Sequence, residues 1–231
     1  MKEEKKQKKK EPKTTTPSVS PPQAFLVHLV CGLGLAAPLW VAHNLFSLTL
    51  VSDPSSTLRL IWVVKTVVMI LVYSSFRQNP EQCSYSRAVG RGILALPVGA
   101  LVSALGAMAL GAPVGSQYLA KTINWSLFMS SLTVICARGF CIWLIMDRLA
   151  TDICTYQVRP NGALEYMICI PAHGAIIGGW LGAWPMPLDW ERPWQEWPIC
   201  VTYGAIMGYL VSTIASFGFV VAHRRHRLKG D

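Results

Sequence analysis

The chain has 231 residues, of which 52% are hydrophobic and only 14% charged, with a mean hydropathy of +0.37. A soluble domain carries about 25% charged residues, so the composition excludes a soluble enzyme folded around one core and points to a protein dissolved in lipid. The net charge of +9 does not indicate nucleic acid, because the basic residues lie in the tails and in particular loops, where they read as membrane topology.

Residues 1–22 combine the lysine run Lys5, Lys6, Lys8, Lys9, Lys10 with Thr14 to Thr16 and four prolines. Such a segment buries too little apolar surface to offset its ordering entropy and is predicted to be a disordered basic arm. It is too long and polar for the n-region of a cleaved signal peptide. Six apolar stretches follow, near 23–45, 58–76, 88–110, 122–146, 164–184 and 199–221. A helix needs about 20 apolar residues to cross the hydrocarbon. Backbone groups in lipid must be satisfied within the segment, and the alternation of a β-barrel is absent. The predicted fold is therefore an all-α integral membrane protein, a six-helix transmembrane bundle over 23–222 with a basic tail at 223–231.

Positive charge sets the orientation. Sixteen basic residues share the side of the N-terminus: seven lysines in the arm, Arg77, Arg87, Arg91, Arg148, Arg159, Arg224, Arg225, Arg227 and Lys229. Arg59, Lys121 and Arg192 fall on the other side. Both termini are predicted to be cytosolic.

Inside the spans, Lys65 and Arg138 are costly, at roughly 2.5–3.5 kcal/mol on insertion scales. They are expected either to snorkel to the headgroups or to contact a lipid phosphate or a partner. His28 and His43 in the first span and His173 in the fifth form no ligand set and read as interhelical hydrogen-bonders. Seven scattered cysteines without a CxxC pair give neither a disulfide scaffold nor a zinc site. No HExxH, GxSxG or P-loop pattern appears, and the loops hold no cluster of Asp and His for two-metal transfer chemistry. The expectation is no catalytic residue, no cofactor and no metal.

The fifth span carries Gly174, Gly178 and Gly182 at spacing four, and the sixth Gly204, Gly208 and Ser212. Such ladders let neighbouring backbones approach closely, either within the bundle or against another membrane protein. The segment between these spans, Trp184 to Pro198, holds four tryptophans and four prolines. Indoles favour the headgroup level, and prolines stop a helix from continuing across the turn. Asp189 and Arg192, three apart, are close enough to pair.

Within that segment, Pro187-Leu-Asp-Trp-Glu-Arg-Pro-Trp-Gln195 is preceded by Gly178-Gly-Trp-Leu-Gly-Ala-Trp184 and followed by Trp197-Pro198. These residues resemble the fingerprint of the PIG-F family, the class F protein of glycosylphosphatidylinositol (GPI) anchor biosynthesis, from about Gly174 to Gly208. The resemblance implies an endoplasmic reticulum membrane protein without catalysis of its own. It would bind and stabilise the ethanolamine phosphate transferases of the PIG-O and PIG-G type, which act on mannoses of the GPI precursor. The expected partner surface is Gly174, Gly178, Gly182, Asp189, Trp190, Arg192, Pro193 and Trp194. The alternative is a lipid-handling or transport protein in which Lys65 and Arg138 line a path for a phosphate-bearing lipid.

Overall fold

The computed structural model describes residues 20–75, 85–133 and 163–230. Six α-helices occupy these stretches: α1 Pro21–Leu45, α2 Pro54–Ser75, α3 Tyr85–Ala109, α4 Ser116–Thr133, α5 Ala163–Ala183 and α6 Ile199–Gly230. A 3-10 turn, Pro193–Gln195, lies between the last two, and no strand occurs among the described residues. Residues 1–19 of the predicted arm and Arg138 lie outside the described residues, as does the second half of the predicted fourth span, while Pro21 and Pro22, placed in the arm, open α1.

Local chemistry sets the helix starts. The Ser20 N–H donates to Gln23 Oε1 at 3.1 Å, and Pro21 and Pro22 occupy first-turn positions that have no amide bond to lose. The Asp53 carboxylate accepts from the Ser56 N–H at 3.1 Å and caps α2. These hydrogen bonds to Ser56 hold the Asp53 carboxyl below the ordinary carboxylate range. Each start therefore falls a few residues before the first strongly apolar position.

Among the described residues five helices are long and apolar enough to cross a membrane: Pro21–Leu45, Pro54–Val72, Gly92–Ala109, Tyr166–Ala183 and Ile199–Arg225. The described part of α4, which stops at Thr133, is the most enclosed. Thr122, Asn124, Ser126, Ser130 and Ser131 are buried on it beside Trp125, Phe128 and Leu132. A helix walled in by protein has no need of a lipid-facing apolar surface, provided its polar groups find partners. Asn124 Oδ1 accepts from Trp62 Nε1 at 3.1 Å, and Ser130 Oγ donates to the Leu96 carbonyl at 2.8 Å.

Neighbouring pairs α1–α2, α2–α4, α4–α5, α5–α6 and α6–α1 close a ring. Only 6% of the apolar window of α3 is buried; it packs on the outside against α2 and α4. Two hydrophobic clusters fill the bundle. One, around Trp125, Phe128, Trp197 and Tyr209, lies toward the α5–α6 loop. The other, around Ala24, Val27, Met167 and Val220, lies toward the chain ends. The helix α6 runs to Gly230, so residues 223–230 of the expected basic tail are helical.

Candidate functional site

The site begins with the packing of α5 on α6. A Cβ placed on Gly178 would run into the Gly204 carbonyl oxygen and stand 2.8 Å from the Gly208 Cα. One on Gly182 would meet the Cys200 carbonyl at 2.6 Å, and one on Gly174 would overlap the Ser212 side chain. The two ladders close on each other, backbone to backbone. Of the two readings of Gly174, Gly178 and Gly182, packing within the bundle and a seam for another membrane protein, the geometry gives the first: the Cβ positions of all three are covered by α6.

That loop is pinned from below by Gln195, which is buried. Its Nε2 donates to the Pro185 carbonyl at 2.6 Å and to the Leu188 carbonyl at 2.9 Å, while Oε1 accepts from the Arg192 N–H at 2.8 Å. One carboxamide thus ties together three backbone groups of the loop, adding to the turn bonds that the Pro185 and Leu188 carbonyls accept from the Leu188 and Trp190 N–H groups. Trp197 is the second pin: its Nε1 donates to Thr122 Oγ1 at 3.0 Å, and its ring packs on Trp125 at 4.9 Å. Glu191 takes a left-handed conformation, φ +48°, where the chain reverses.

Above these pins the remaining side chains point outward. Asp189, Trp190, Glu191, Arg192, Pro193 and Trp194 are all exposed. The Trp190 and Trp194 rings lie 6.1 Å apart. The expected pairing of Asp189 with Arg192 does not form, and no ion pair joins them among the described residues. Gln195, bent back between them and the hairpin, holds the backbone in their place. The sequence reading gave Gln195 no role, and its signal was slight: one neutral polar residue between tryptophans. Among the described residues no three His, Cys, Asp or Glu come together in a way that could hold a metal ion.

Lys65 departs from expectation. It is fully buried, its Nζ donating to the Cys31 carbonyl at 2.6 Å and to Tyr209 Oη at 3.2 Å, with the Tyr209 ring centroid at 4.4 Å. Its ammonium is turned into the bundle, where it joins α2 to α1 and α6. Carbonyl, hydroxyl and ring face replace the water that the ammonium would otherwise keep. His173 is exposed and bonds its own helix, Nδ1 to the Cys169 carbonyl at 2.7 Å, rather than another. His43 is exposed, and His28 is buried with no hydrogen-bond partner at Nε2.

These features define a class: an all-α, multi-pass membrane protein whose distinctive surface is a pinned, tryptophan-rich loop on a glycine-packed hairpin. The chain belongs to the PIG-F family, since the model for GPI biosynthesis protein family Pig-F matches residues 35–217. Among relatives, the Homo sapiens "GPI ethanolamine phosphate transferase, stabilizing subunit" is 50% identical over 104 residues, 39% of this chain and 48% of that protein. The Mus musculus protein of the same name is 34% identical over 107 residues, 46% of this chain and 47% of that one. A Schizosaccharomyces pombe "PIGF/3-ketodihydrosphingosine reductase fusion protein" is 28% identical over 161 residues, 67% of this chain and 29% of that protein. The chain thus spans about half the length of the human and mouse relatives it matches. No solved structure matches.

Proposed function

We propose that this chain is the non-catalytic, stabilising subunit of an endoplasmic reticulum ethanolamine phosphate transferase, which adds ethanolamine phosphate to mannose of the GPI-anchor precursor. Its partners are the catalytic transferases, of the PIG-O and PIG-G type, and both its termini are cytosolic. The printed names of the human and mouse relatives support the reading. The observation that carries it is the Gln195-pinned loop, which holds Asp189, Trp190, Arg192, Pro193 and Trp194 outward in one fixed array.

A fixed array is what a docking surface needs, because little side-chain and loop freedom is lost on binding. Asp189 and Arg192 do not neutralise each other, so each is available to a charge on the partner. A charge desolvated under a partner loses about 2–5 kcal/mol of binding when its counterpart is removed, whereas a solvated pair is worth only about 0–1 kcal/mol. Asp189→Ala and Arg192→Ala are each expected to reduce co-purification of the transferase and GPI-anchored protein at the surface of deficient cells. Membrane insertion of the variants should match wild type. If both variants restore surface protein fully, the loop is an interfacial anchor and the docking reading fails.

A further inference from the structure

His173 stands ten residues from Ala163 and ten from Ala183, the two ends of α5. That is about 15 Å from either end, near the middle of a hydrocarbon layer about 30 Å thick. The neighbouring helix gives the same depth. A Cβ on Gly174 would meet Ser212 and Gly208, close to the middle of the apolar stretch Ile199–Arg225 of α6. Yet the His173 side chain is exposed. On the other helices, the exposed side chains at mid-span among the described residues are apolar, as at Leu33 on α1, Val63 on α2, Leu101 on α3 and Val211 on α6.

An ionisable side chain within a span normally faces the bundle interior, as Lys65 does. His173 is held outside by its neighbours: turning α5 to bury it would pull Gly174, Gly178 and Gly182 off the α6 backbone. Its ring leaves one hydrogen-bonding atom open. Nδ1 lies 2.7 Å from the Cys169 carbonyl, and a carbonyl only accepts, so the proton of that bond sits on Nδ1. In the neutral ring Nε2, the nitrogen farther from the backbone, is then an acceptor. No second hydrogen bond to His173 occurs among the described residues. Acyl chains carry no donor at this depth, and the hydrocarbon holds no water to supply one. Ile177, Trp180 and Trp184 continue the exposed stripe at helical spacing. Trp184 opens the segment that carries Asp189, Trp190 and Arg192, so stripe and loop form one continuous surface.

Resting on the stabilising-subunit reading, we propose that the α5 face from His173 to Trp184 docks a transmembrane helix of the transferase. His173 Nε2 accepts a hydrogen bond there from a hydroxyl, amide or indole N–H of that helix. Only a helix can bring such a donor to mid-membrane depth, since its own backbone groups are satisfied within the segment. A second copy of this chain does not fit, because a twofold axis through the face would set one Nε2 acceptor against another. The tryptophan loop then meets the same partner at the membrane surface.

The test co-expresses the full-length chain with the tagged catalytic transferase. A photoreactive phenylalanine analogue is placed at Ile177 and, for comparison, at Val211 of α6 and Leu101 of α3. Illumination should join the chain to the transferase from Ile177 and not from the other two. His173→Leu should lower the transferase recovered in detergent by about three- to twentyfold. His173→Gln, whose carboxamide oxygen is also an acceptor, should retain most of it. The side chain is exposed, so the variants alone should melt as wild type does, which separates lost docking from misfolding. Wild-type recovery with His173→Leu, equal adducts from all three positions, or an Ile177 adduct with a second copy of the chain would overturn the proposal and leave the stabilising-subunit reading standing. Absence of the transferase from the wild-type preparation would overturn both.

Discussion

At Gln195 a single side chain meets three backbone groups of the loop, adding to the turn hydrogen bonds that the loop makes with itself. Replacing it with leucine keeps the bulk and removes all three bonds. Each lost hydrogen bond costs about 0.5–1.5 kcal/mol, so Gln195→Leu should lower the melting temperature in detergent and weaken transferase co-purification together. A wild-type melting profile would mean that the prolines alone hold the loop. Asp53 offers a second test at this scale. Its carboxyl lies below the ordinary range through hydrogen bonds from Ser56, and loss of such a cap costs about 0.5–2 kcal/mol. The group binds a proton less readily when folded than when unfolded. Its contribution is therefore complete above the ordinary carboxylate pKa and fades as pH falls through the lower, folded value. Asp53→Ala should destabilise at neutral pH, and the gap to wild type should narrow on acidification; a gap independent of pH would refute the assignment.

The α5–α6 hairpin makes the sharpest statement at the scale of elements, because its glycines differ from one another in what surrounds them. Gly178 faces backbone at less than van der Waals distance from any added Cβ, whereas a Cβ on its neighbour Gly179 would meet nothing nearer than Ala205 Cβ at 3.7 Å. Gly178→Ala should force the helices apart at about 1–3 kcal/mol, while Gly179→Ala should be close to neutral. Equal melting temperatures for the two would show that the seam relaxes freely.

For the whole molecule, the contact of Phe25 with Phe217 and the burial of Ala24 and Val27 with Val220 put the start of α1 and the end of α6 at one face. The tryptophan loop lies at the other. Tags at residues 1 and 231 should share a side, and a tag inserted after the exposed Glu191 should be protected on the opposite side. Protease protection in sealed vesicles reads this directly, and tags found on opposite sides would refute the bundle topology. At this scale Lys65 links the two hydrophobic clusters, touching Cys31 in one and Tyr209 in the other.

Hydropathy and charge placement depend on sums over a segment, and those the sequence determines alone. They gave the membrane class, an all-helical fold whose six helices among the described residues agree roughly with the six apolar stretches, and the fingerprint that placed the chain in its family. Contacts between distant segments depend on which faces meet, and no local sum contains that information. Only the tertiary structure decided that Gly174, Gly178 and Gly182 close on α6, and that Lys65 turns inward to Cys31 and Tyr209 rather than outward to headgroups. It alone left Asp189 and Arg192 unpaired while Gln195 holds their backbone. Each of these outcomes is a competition between neighbours, settled by which group reaches a partner first in three dimensions.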